Sequence, residues 1–369
     1  MKTACVHIGL NKTGSSTIQK WLESNAPRLQ AHGVVYDPLR RNPRYKGNLH
    51  AEFCACLSHQ IGELCPSWSV RHTLGIKSLD DQAQIATVFM TALDTAVTDL
   101  PAHSLFILSS EHVTSCIDTL QKAQVMQTFL ARYFGDVGIV VYLRRQEDAL
   151  RSEWSQLAKF SPLQSLEGFI NKNPVRDYSA LLHPFEAAFG AEKITVRLAV
   201  PDTLSGKPPV EDFKEFLKID QGADPVDIHE NKSPSAAALE LLRGFTRNNP
   251  SHFENGYMNP RYRAFLAAIS ARDKGYSPLT LTRAQAERIR QANLPGNTAI
   301  RDTYFPERPA LFPERHDYPE TLDIQPEITR LAAEVAEDLL NRPTRIPGYR
   351  ALRDLYETLR QSGKTSAGQ

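Results

Sequence analysis

The sequence has few features of a membrane, secreted or nucleic-acid-binding protein. No apolar run approaches the roughly 20 residues that a membrane-spanning helix requires, and the apolar stretch near the N-terminus is too short for a signal peptide. Lysine and arginine total 43 against 42 aspartate and glutamate residues in 369. This balance argues against broad nucleic-acid binding, which needs net positive charge. We therefore expect a cytoplasmic protein with no membrane span and no nucleic-acid partner.

Cysteine is scarce and forms no clear pattern. The five cysteines are odd in number and contain no C-x-x-C pair, so we expect reduced, mostly buried thiols. A zinc site formed by Cys54, Cys56, His59 and Cys65 is the alternative. It is a weak one, because a C-x-C pair with one histidine departs from the ligand spacings of structural zinc sites. We expect no metal site.

The sequence does contain short apolar runs that alternate with helical periodicity. The runs predict strands near residues 3–8, 33–36, 105–108, 137–143 and 193–198. Strands separated by helices predict an α/β fold with a parallel, doubly wound sheet. Ligands of such sheets bind at the carboxyl ends of the strands. Polar residues follow the first strand, Leu108 and Leu143, so these clusters are predicted to form one site.

From about residue 234 the pattern is mainly helical. Helices are predicted over 236–245, 283–291, 326–340 and 349–360, with a loop or lid over 248–260. We expect residues 1–233 to form the α/β core. Residues 234–360 are expected to be a helical extension of the same domain that completes the cleft, followed by a disordered tail at 361–369.

Gly9 and Gly14 bracket four residues directly after the first predicted strand. This is the glycine spacing of a P-loop, in which backbone N–H groups and a helix N-terminus bind phosphate. Triphosphate-binding loops continue with a lysine and a hydroxyl residue that holds Mg²⁺. Here Ser15 follows Gly14, and the lysine, Lys12, lies inside the loop. The segment is predicted to bind an anion without a metal, although a helix cap alone would also explain Gly-Ser-Ser-Thr.

A second basic cluster leaves the strand that ends at Leu143. Arg144 and Arg145 come next, and Ser152 lies eight residues after Arg144. Because eight helical residues make just over two turns, Arg144 and Ser152 can approach the same anion. Arginines at a helix N-terminus oppose the macrodipole, which a bound anion would offset. The alternative is an exposed basic start of a helix.

Together these segments resemble the PAPS-dependent sulfotransferase family, whose sulfuryl donor is 3′-phosphoadenosine-5′-phosphosulfate (PAPS). Residues 11–17, Asn-Lys-Thr-Gly-Ser-Ser-Thr, are similar to the family's 5′-phosphosulfate loop, with Asn11 in place of the usual proline. Arg144 and Ser152 match the arginine and serine that bind the donor's 3′-phosphate, at the same separation. The loop looks most like that of the bacterial branch. Weaker similarity extends to about Phe312 and includes Ser109-Ser110-Glu111, Val196-Arg197 and Asp212-Phe213.

The resemblance implies a three-layer α/β P-loop fold and sulfuryl transfer that requires no metal and leaves 3′,5′-ADP. It also implies that Lys12 stabilises the leaving nucleotide. The acceptor would be the hydroxyl of a small molecule or glycan, with a carbohydrate favoured. The residues implied to bind the 5′-phosphosulfate are Lys12, Thr13, Gly14, Ser15, Ser16 and Thr17.

An acceptor hydroxyl needs a general base. Glu111, His50 and His112 are the candidates, and Glu111 is favoured slightly because it follows a strand end that faces the predicted site. Related enzymes use either a histidine or a glutamate, so the resemblance does not choose between them. Two other functions stay open, namely a P-loop kinase or nucleotide-binding switch and a non-catalytic anion-binding protein. The oligomeric state is not predicted.

Overall fold

The structure is a computed structural model of the 369-residue chain. It describes residues 2–10, 13–37, 39, 50–160, 163–200, 209–219, 233–249, 253–254 and 257–340. Asn11 and Lys12 lie outside the described residues, as do the helix predicted over 349–360 and the tail predicted at 361–369.

The described residues contain a five-stranded sheet in which all neighbouring strands are parallel. Its strands are β1 (Thr3–His7), β2 (Val34–Val35), β3 (Leu105–Ser109), β4 (Asp136–Leu143) and β5 (Ile194–Leu198). They lie in the order β2-β3-β1-β4-β5, which makes β1 the central strand. Two further short strands, β6 (Phe253–Glu254) and β7 (Tyr257–Met258), pair in an antiparallel hairpin. The predicted α/β fold with a parallel sheet is confirmed.

Helices account for most of the remaining described residues. They are α1 (Ser15–Ser24), α2 (Ala26–Ala31), α3 (Ala51–Ile61), α4 (Trp68–Leu74), α5 (Leu79–Thr98), α6 (Val113–Cys116), α7 (Leu120–Ala131), α8 (Gln146–Leu157), α9 (Leu166–Lys172), α10 (Tyr178–Phe189), α11 (Pro209–Phe216), α12 (Ala236–Asn248), α13 (Pro260–Arg272), α14 (Arg283–Tyr304) and α15 (Gln325–Leu340). No helix within these residues is both long and apolar enough to cross a membrane.

The chain divides into two compact units that interleave along the sequence. The first comprises the described parts of Met1–Arg145, Asp177–His229 and Leu294–Pro313. The second comprises those of Gln146–Arg176, Glu230–Asn293 and Glu314–Gln369. The five-stranded sheet belongs to the first unit, and the second unit is mainly helical. The division expected at residue 233 stays a prediction.

The sheet of the first unit has a separate apolar core on each face. Side chains of β1 alternate between them: Ala4 and Val6 join the core on one face, and Cys5 joins the core on the other. This alternation is the period of a strand, and it requires a helical layer on both faces. Helices α3, α5, α7 and α10 supply the first layer, and α1, α2 and α11 supply the second. The core of the second layer contains the fully buried Trp21, whose burial contributes roughly 2–3 kcal/mol.

The second unit has two apolar cores of its own. One is built mainly from α12, α13 and α15, and the other from α8, α9 and the first part of α14. The segment predicted as a loop or lid over 248–260 contains the short antiparallel pair of β6 and β7. The sequence between these strands is Asn255-Gly256, a dipeptide that favours hairpin turns. Helix α14 also continues past the predicted end at residue 291, through an internal Pro295.

Candidate functional site

Strands β1 and β4 are neighbours, and the chain connections that follow them lead towards opposite edges of the sheet. The chain passes from β1 to β2, beyond β3, whereas it passes from β4 to β5 at the other edge. In parallel α/β sheets, ligands bind at the carboxyl ends of strands where the connections diverge in this way. The predicted anion loop, residues 9–14, follows β1 in the sequence, and Arg144 follows β4. The first unit therefore places both at the expected binding edge.

The anion loop runs into α1 at Gly14, which has φ +91° and ψ 9°. This left-handed conformation strongly favours glycine. The carbonyl of Gly14 accepts hydrogen bonds from the N–H groups of Thr17 and Ile18, both at 3.0 Å. The N–H groups of Ser15 and Ser16 precede the first intrahelical bonds of α1, and no side chain caps the helix within the described residues. A helix N-terminus of this kind is favourable for a bound anion.

Two close contacts leave no room for a side chain at either glycine of the loop. A Cβ atom on Gly9 would collide with the hydroxyl oxygen of Ser15. A Cβ atom on Gly14 would lie 2.8 Å from Cγ of Pro209, the first residue of α11. The left-handed backbone favours glycine at position 14, and close contacts exclude a larger residue at both Gly9 and Gly14.

The hydroxyls predicted to bind phosphosulfate lie in different environments. Thr13 and Ser15 are buried. Thr13 Oγ1 donates a hydrogen bond to the carbonyl of Leu10 at 2.8 Å, and Ser15 Oγ lies 3.4 Å from the same oxygen. Ser16 is exposed and Thr17 is half-buried. The hydroxyls of Thr13 and Ser15 therefore stabilise the loop itself, while Ser16 and Thr17 are the more accessible pair.

A buried polar network lies beneath this edge of the sheet. His7, the last residue of β1, has Nδ1 at 2.9 Å from Ser109 Oγ, and Gln19 on α1 donates to that hydroxyl at 3.1 Å. The N–H of Ser110 donates to the carbonyl of His7 at 3.1 Å. These bonds join the end of β3 to both the end of β1 and the first turns of α1. Gln19 was not among the predicted site residues, although a polar residue on the apolar face of α1 is a signal for such a role.

His50 is part of the same network and is fully buried. Its Nδ1 accepts the N–H of Ser109 at 2.9 Å, so the proton resides on Nε2, which donates to the carbonyl of Asp37 at 2.7 Å. Burial lowers the pKa of His50 to about 4, despite the opposing bond to Asp37. Burial also lowers the pKa of His7 to about 4. Both rings are therefore neutral at pH 7.

Glu111 and His112 form a turn directly after the end of β3, and both are half-buried. Because His7 and Ser109 are register partners, this turn starts beside the loop that follows β1. Nδ1 of His112 lies 3.4 Å from Ser67 Oγ. Burial lowers the pKa of His112. Of the three predicted bases, Glu111 and His112 thus lie together on this turn, and His50 is hydrogen-bonded to the main chain of Ser109, which precedes the turn.

The predicted 3′-phosphate ligands are assigned to different units. Arg144, in the first unit, is half-buried, and its carbonyl accepts a hydrogen bond from Tyr178 at 2.6 Å. Arg145 is buried, and its Nε donates to the carbonyl of Pro313 at 3.2 Å. Ser152 is half-buried on α8 of the second unit. The approach of Arg144 and Ser152 to one phosphate stays a prediction.

Helix α11, which approaches the anion loop, is held to the sheet by Asp212. The Tyr142 hydroxyl on β4 donates to Asp212 Oδ2 at 2.7 Å, and Arg197 Nε on β5 donates to the same oxygen at 2.7 Å. Burial, followed by the charge of Asp212, raises the pKa of Tyr142. The bond to Asp212 raises the pKa of Arg197. The weakly similar segments Val196-Arg197 and Asp212-Phe213 thus supply the two partners of this ion pair.

The cysteines are all free and buried. Cys65 Sγ lies 3.8 Å from Cys116 Sγ, and Cys54 Sγ lies 3.4 Å from Ser110 Oγ. Within the part of the chain that the structure describes, no group of three or more histidine, cysteine, aspartate or glutamate side chains is arranged to hold a metal ion.

No protein-family model matches the chain, and no curated protein matches it. Among solved structures, the chain is similar to a sulfotransferase from Alicyclobacillus acidocaldarius. The two are 15% identical with a TM-score of 0.37, over 66% of this chain and 90% of that chain.

Proposed function

We propose that the chain is a PAPS-dependent sulfotransferase that acts on an acceptor hydroxyl. The observation that carries the proposal is the position of the anion loop. It follows the central strand of a parallel sheet and enters a helix at a left-handed glycine, Gly14. The sequence of that loop has its lysine before Gly14 and no lysine after it. This arrangement fits a phosphosulfate better than a metal-bound triphosphate.

The described residues of the loop fit the donor's 5′-phosphate. The first-turn N–H groups of α1 and the accessible hydroxyls of Ser16 and Thr17 supply hydrogen-bond donors, and the tight contacts at Gly9 and Gly14 fix the loop in place. When bound, PAPS supplies the sulfuryl group for transfer and leaves as 3′,5′-ADP. In this proposal Arg144 and Ser152 bind the 3′-phosphate and so select PAPS over ATP-like donors.

Lys12, which lies outside the described residues, is proposed to place its ammonium near the oxygen that becomes negatively charged as the nucleotide leaves. Stabilisation of developing charge is the main contribution that a protein makes to transfers of this kind. We therefore expect Lys12 to affect turnover more than donor affinity.

Glu111 is the proposed general base, with its carboxylate accepting the proton of the acceptor hydroxyl. It stands on the turn that starts beside the loop after β1. His50 is a poorer candidate, because both ring nitrogens already form hydrogen bonds with main-chain groups and the ring is fully buried. His112 stays a second candidate on the same turn. Separate Glu111→Gln, His112→Gln and His50→Gln variants, assayed at saturating PAPS, distinguish the three.

Calorimetric titration tests the donor assignment without an acceptor. We expect saturable binding of 3′,5′-ADP in the absence of Mg²⁺, and weaker binding of 5′-ADP, which lacks the 3′-phosphate. Tighter binding of ATP with Mg²⁺ than of 3′,5′-ADP would favour a P-loop kinase or nucleotide switch instead. Binding of 3′,5′-ADP without transfer to any acceptor would favour a non-catalytic anion-binding protein.

A further inference from the structure

Arg144 lies where β4 ends, and the two peptide groups on either side of its Cα atom are each held by a hydrogen bond. The carbonyl of Leu143 accepts the N–H of Ala199, which follows β5, at 2.7 Å. The carbonyl of Arg144 accepts the hydroxyl of Tyr178 at 2.6 Å. Because the backbone rotates only about the bonds between planar peptide groups, these two hydrogen bonds together restrict the φ and ψ angles of Arg144. They therefore fix the direction in which its side chain leaves the backbone.

The two hydrogen bonds differ in origin. The bond from Ala199 continues the parallel ladder in which Leu143 pairs with Leu198, so it is formed by the main chain whatever the side chains are. The bond from Tyr178 is formed by a phenol hydroxyl. Phenylalanine at this position would remove the hydroxyl and keep the ring, so the contribution of this bond to Arg144 is open to direct measurement.

Tyr178 is itself held in place from several sides. It is the first residue of α10 and is buried. Asp177 caps the helix by accepting the N–H of Ala180 at 3.1 Å, and a Cβ atom on Gly296 of α14 would collide with that capping carboxylate. The ring of Phe312 meets the Tyr178 ring edge-on, with ring centres 6.5 Å apart and planes at 71°. All of these residues belong to the first unit, as Arg144 does.

The two arginines at the end of β4 differ in accessibility. Arg145 is buried, and its Nε donates to the carbonyl of Pro313 at 3.2 Å. Arg144 is half-buried, so it is the more accessible of the pair. A guanidinium binds phosphate through N–H groups in a rigid fork, so its contribution depends on the direction from which it approaches. A hydrogen bond that holds this direction before the ligand arrives reduces the entropy lost on binding.

We propose that Tyr178 is a positioning residue whose hydroxyl orients Arg144 towards the 3′-phosphate of the donor, and that it thereby contributes to the selection of 3′-phosphorylated nucleotides. Tyr178 does not touch the donor in this proposal, because it acts through the main chain of Arg144. The inference rests on the proposed sulfotransferase function, since that function makes Arg144 a ligand of the 3′-phosphate. It concerns binding alone, so its test needs no acceptor and no turnover.

Calorimetric titration of the full-length chain with 3′,5′-ADP and with 5′-ADP isolates the contribution of the 3′-phosphate, because the two ligands differ in that group alone. The measured quantity is the ratio of their dissociation constants. We expect Tyr178→Phe to reduce the preference for 3′,5′-ADP by about threefold to tenfold, the effect of losing one hydrogen bond. The affinity for 5′-ADP should stay close to that of wild type. Equal weakening of both ligands would overturn the positioning role.

Tyr262→Phe is the matched control, because it removes a hydrogen bond of the same kind. Tyr262 is fully buried, and its hydroxyl donates to the main-chain carbonyl of Lys159 in the second unit. This variant should keep the wild-type preference for 3′,5′-ADP. A similar loss of preference in Tyr178→Phe and Tyr262→Phe would mean that selectivity follows general loosening of the fold, and the positioning role would be wrong.

A double variant shows whether Tyr178 acts through Arg144. Arg144→Ala alone should abolish most of the preference for 3′,5′-ADP. If Tyr178 acts through Arg144, adding Tyr178→Phe to that variant should change the preference no further, since the two effects are not additive when one residue depends on the other. A further loss in the double variant would overturn the proposal, because Tyr178 would then act on the ligand by another route.

The wild-type titration separates this inference from the proposed function. A wild-type chain that binds 3′,5′-ADP no more tightly than 5′-ADP contradicts the donor assignment, and the role of Tyr178 falls with it. A wild-type chain that prefers 3′,5′-ADP, with the full preference retained in Tyr178→Phe, overturns the role of Tyr178 and leaves the donor assignment standing.

Discussion

The ring of Pro209 lies against Gly14, so that Cγ of Pro209 is 2.8 Å from where a Cβ atom on Gly14 would be. This contact connects the first residue of α11 to the residue that precedes α1. Since α11 is held to β4 and β5 through Asp212, the geometry of the anion loop depends on strands that are distant from it in sequence.

Substitution of Gly14 should therefore weaken donor binding by more than the strain of a left-handed backbone alone would cause. Gly14→Ala introduces a methyl group into both a left-handed conformation and the contact with Pro209, and we expect at least about a tenfold loss of 3′,5′-ADP affinity. Gly62→Ala is the matched control, because Gly62 has a similar φ of +84° but no atom within 4 Å of where a Cβ atom would be. Calorimetry on both variants checks this. Equal 3′,5′-ADP affinity in the two variants would contradict the role of the Pro209 contact.

Asp212→Ala should destabilise the fold by about 2–3 kcal/mol, because it leaves Arg197 and the Tyr142 hydroxyl without their common partner. Asp136→Ala is the control. It removes an ion pair between Asp136, the first residue of β4, and Lys193, the residue before β5. That pair is largely exposed, so water screens it and its loss should cost much less stability. Urea unfolding measures both. The account of α11 fails if the two variants lose the same stability.

Stability should fall as the pH is lowered from about 6.5 to about 4. The pKa values of His7 and His50 are lowered from 6.5 to about 4 in the folded chain, so between these values the unfolded state binds more protons. The free energy of unfolding should be lower at pH 5 than at pH 7 by about 2 kcal/mol for each histidine. Urea unfolding of His50→Gln at both pH values should show a smaller loss, whereas the exposed His103→Gln should behave as wild type does.

Reaction with a thiol reagent should be slow in the native protein. All five cysteines are buried, and burial raises the pKa of Cys5 to about 12 and is the main cause of a rise to about 12 at Cys56. Since the thiolate is the reactive form, we expect five thiols to react after unfolding and fewer than one in the native state within the same time. Rapid reaction of two or more native thiols would contradict the described packing.

The sheet and the position of the anion loop could be predicted because each depends on local sequence. Short apolar runs identify strands such as β4, and two glycines with an internal lysine identify the loop. The environment of His50 could not be predicted in this way, because its partners are main-chain groups of Ser109 and Asp37. The interleaved units and the Pro209 contact also depend on distant segments, and no local pattern encodes such pairings.

Transfer of radiolabelled sulfur from PAPS to a mixed pool of glycans and small alcohols is the most direct test of the proposed activity. We expect wild-type protein to label an acceptor in the absence of Mg²⁺. Lys12→Ala should reduce turnover by about a hundredfold or more while binding 3′,5′-ADP within about fivefold of wild type. If wild type labels no acceptor, or if Lys12→Ala transfers sulfur at the wild-type rate, the account of this chain as a sulfotransferase is contradicted.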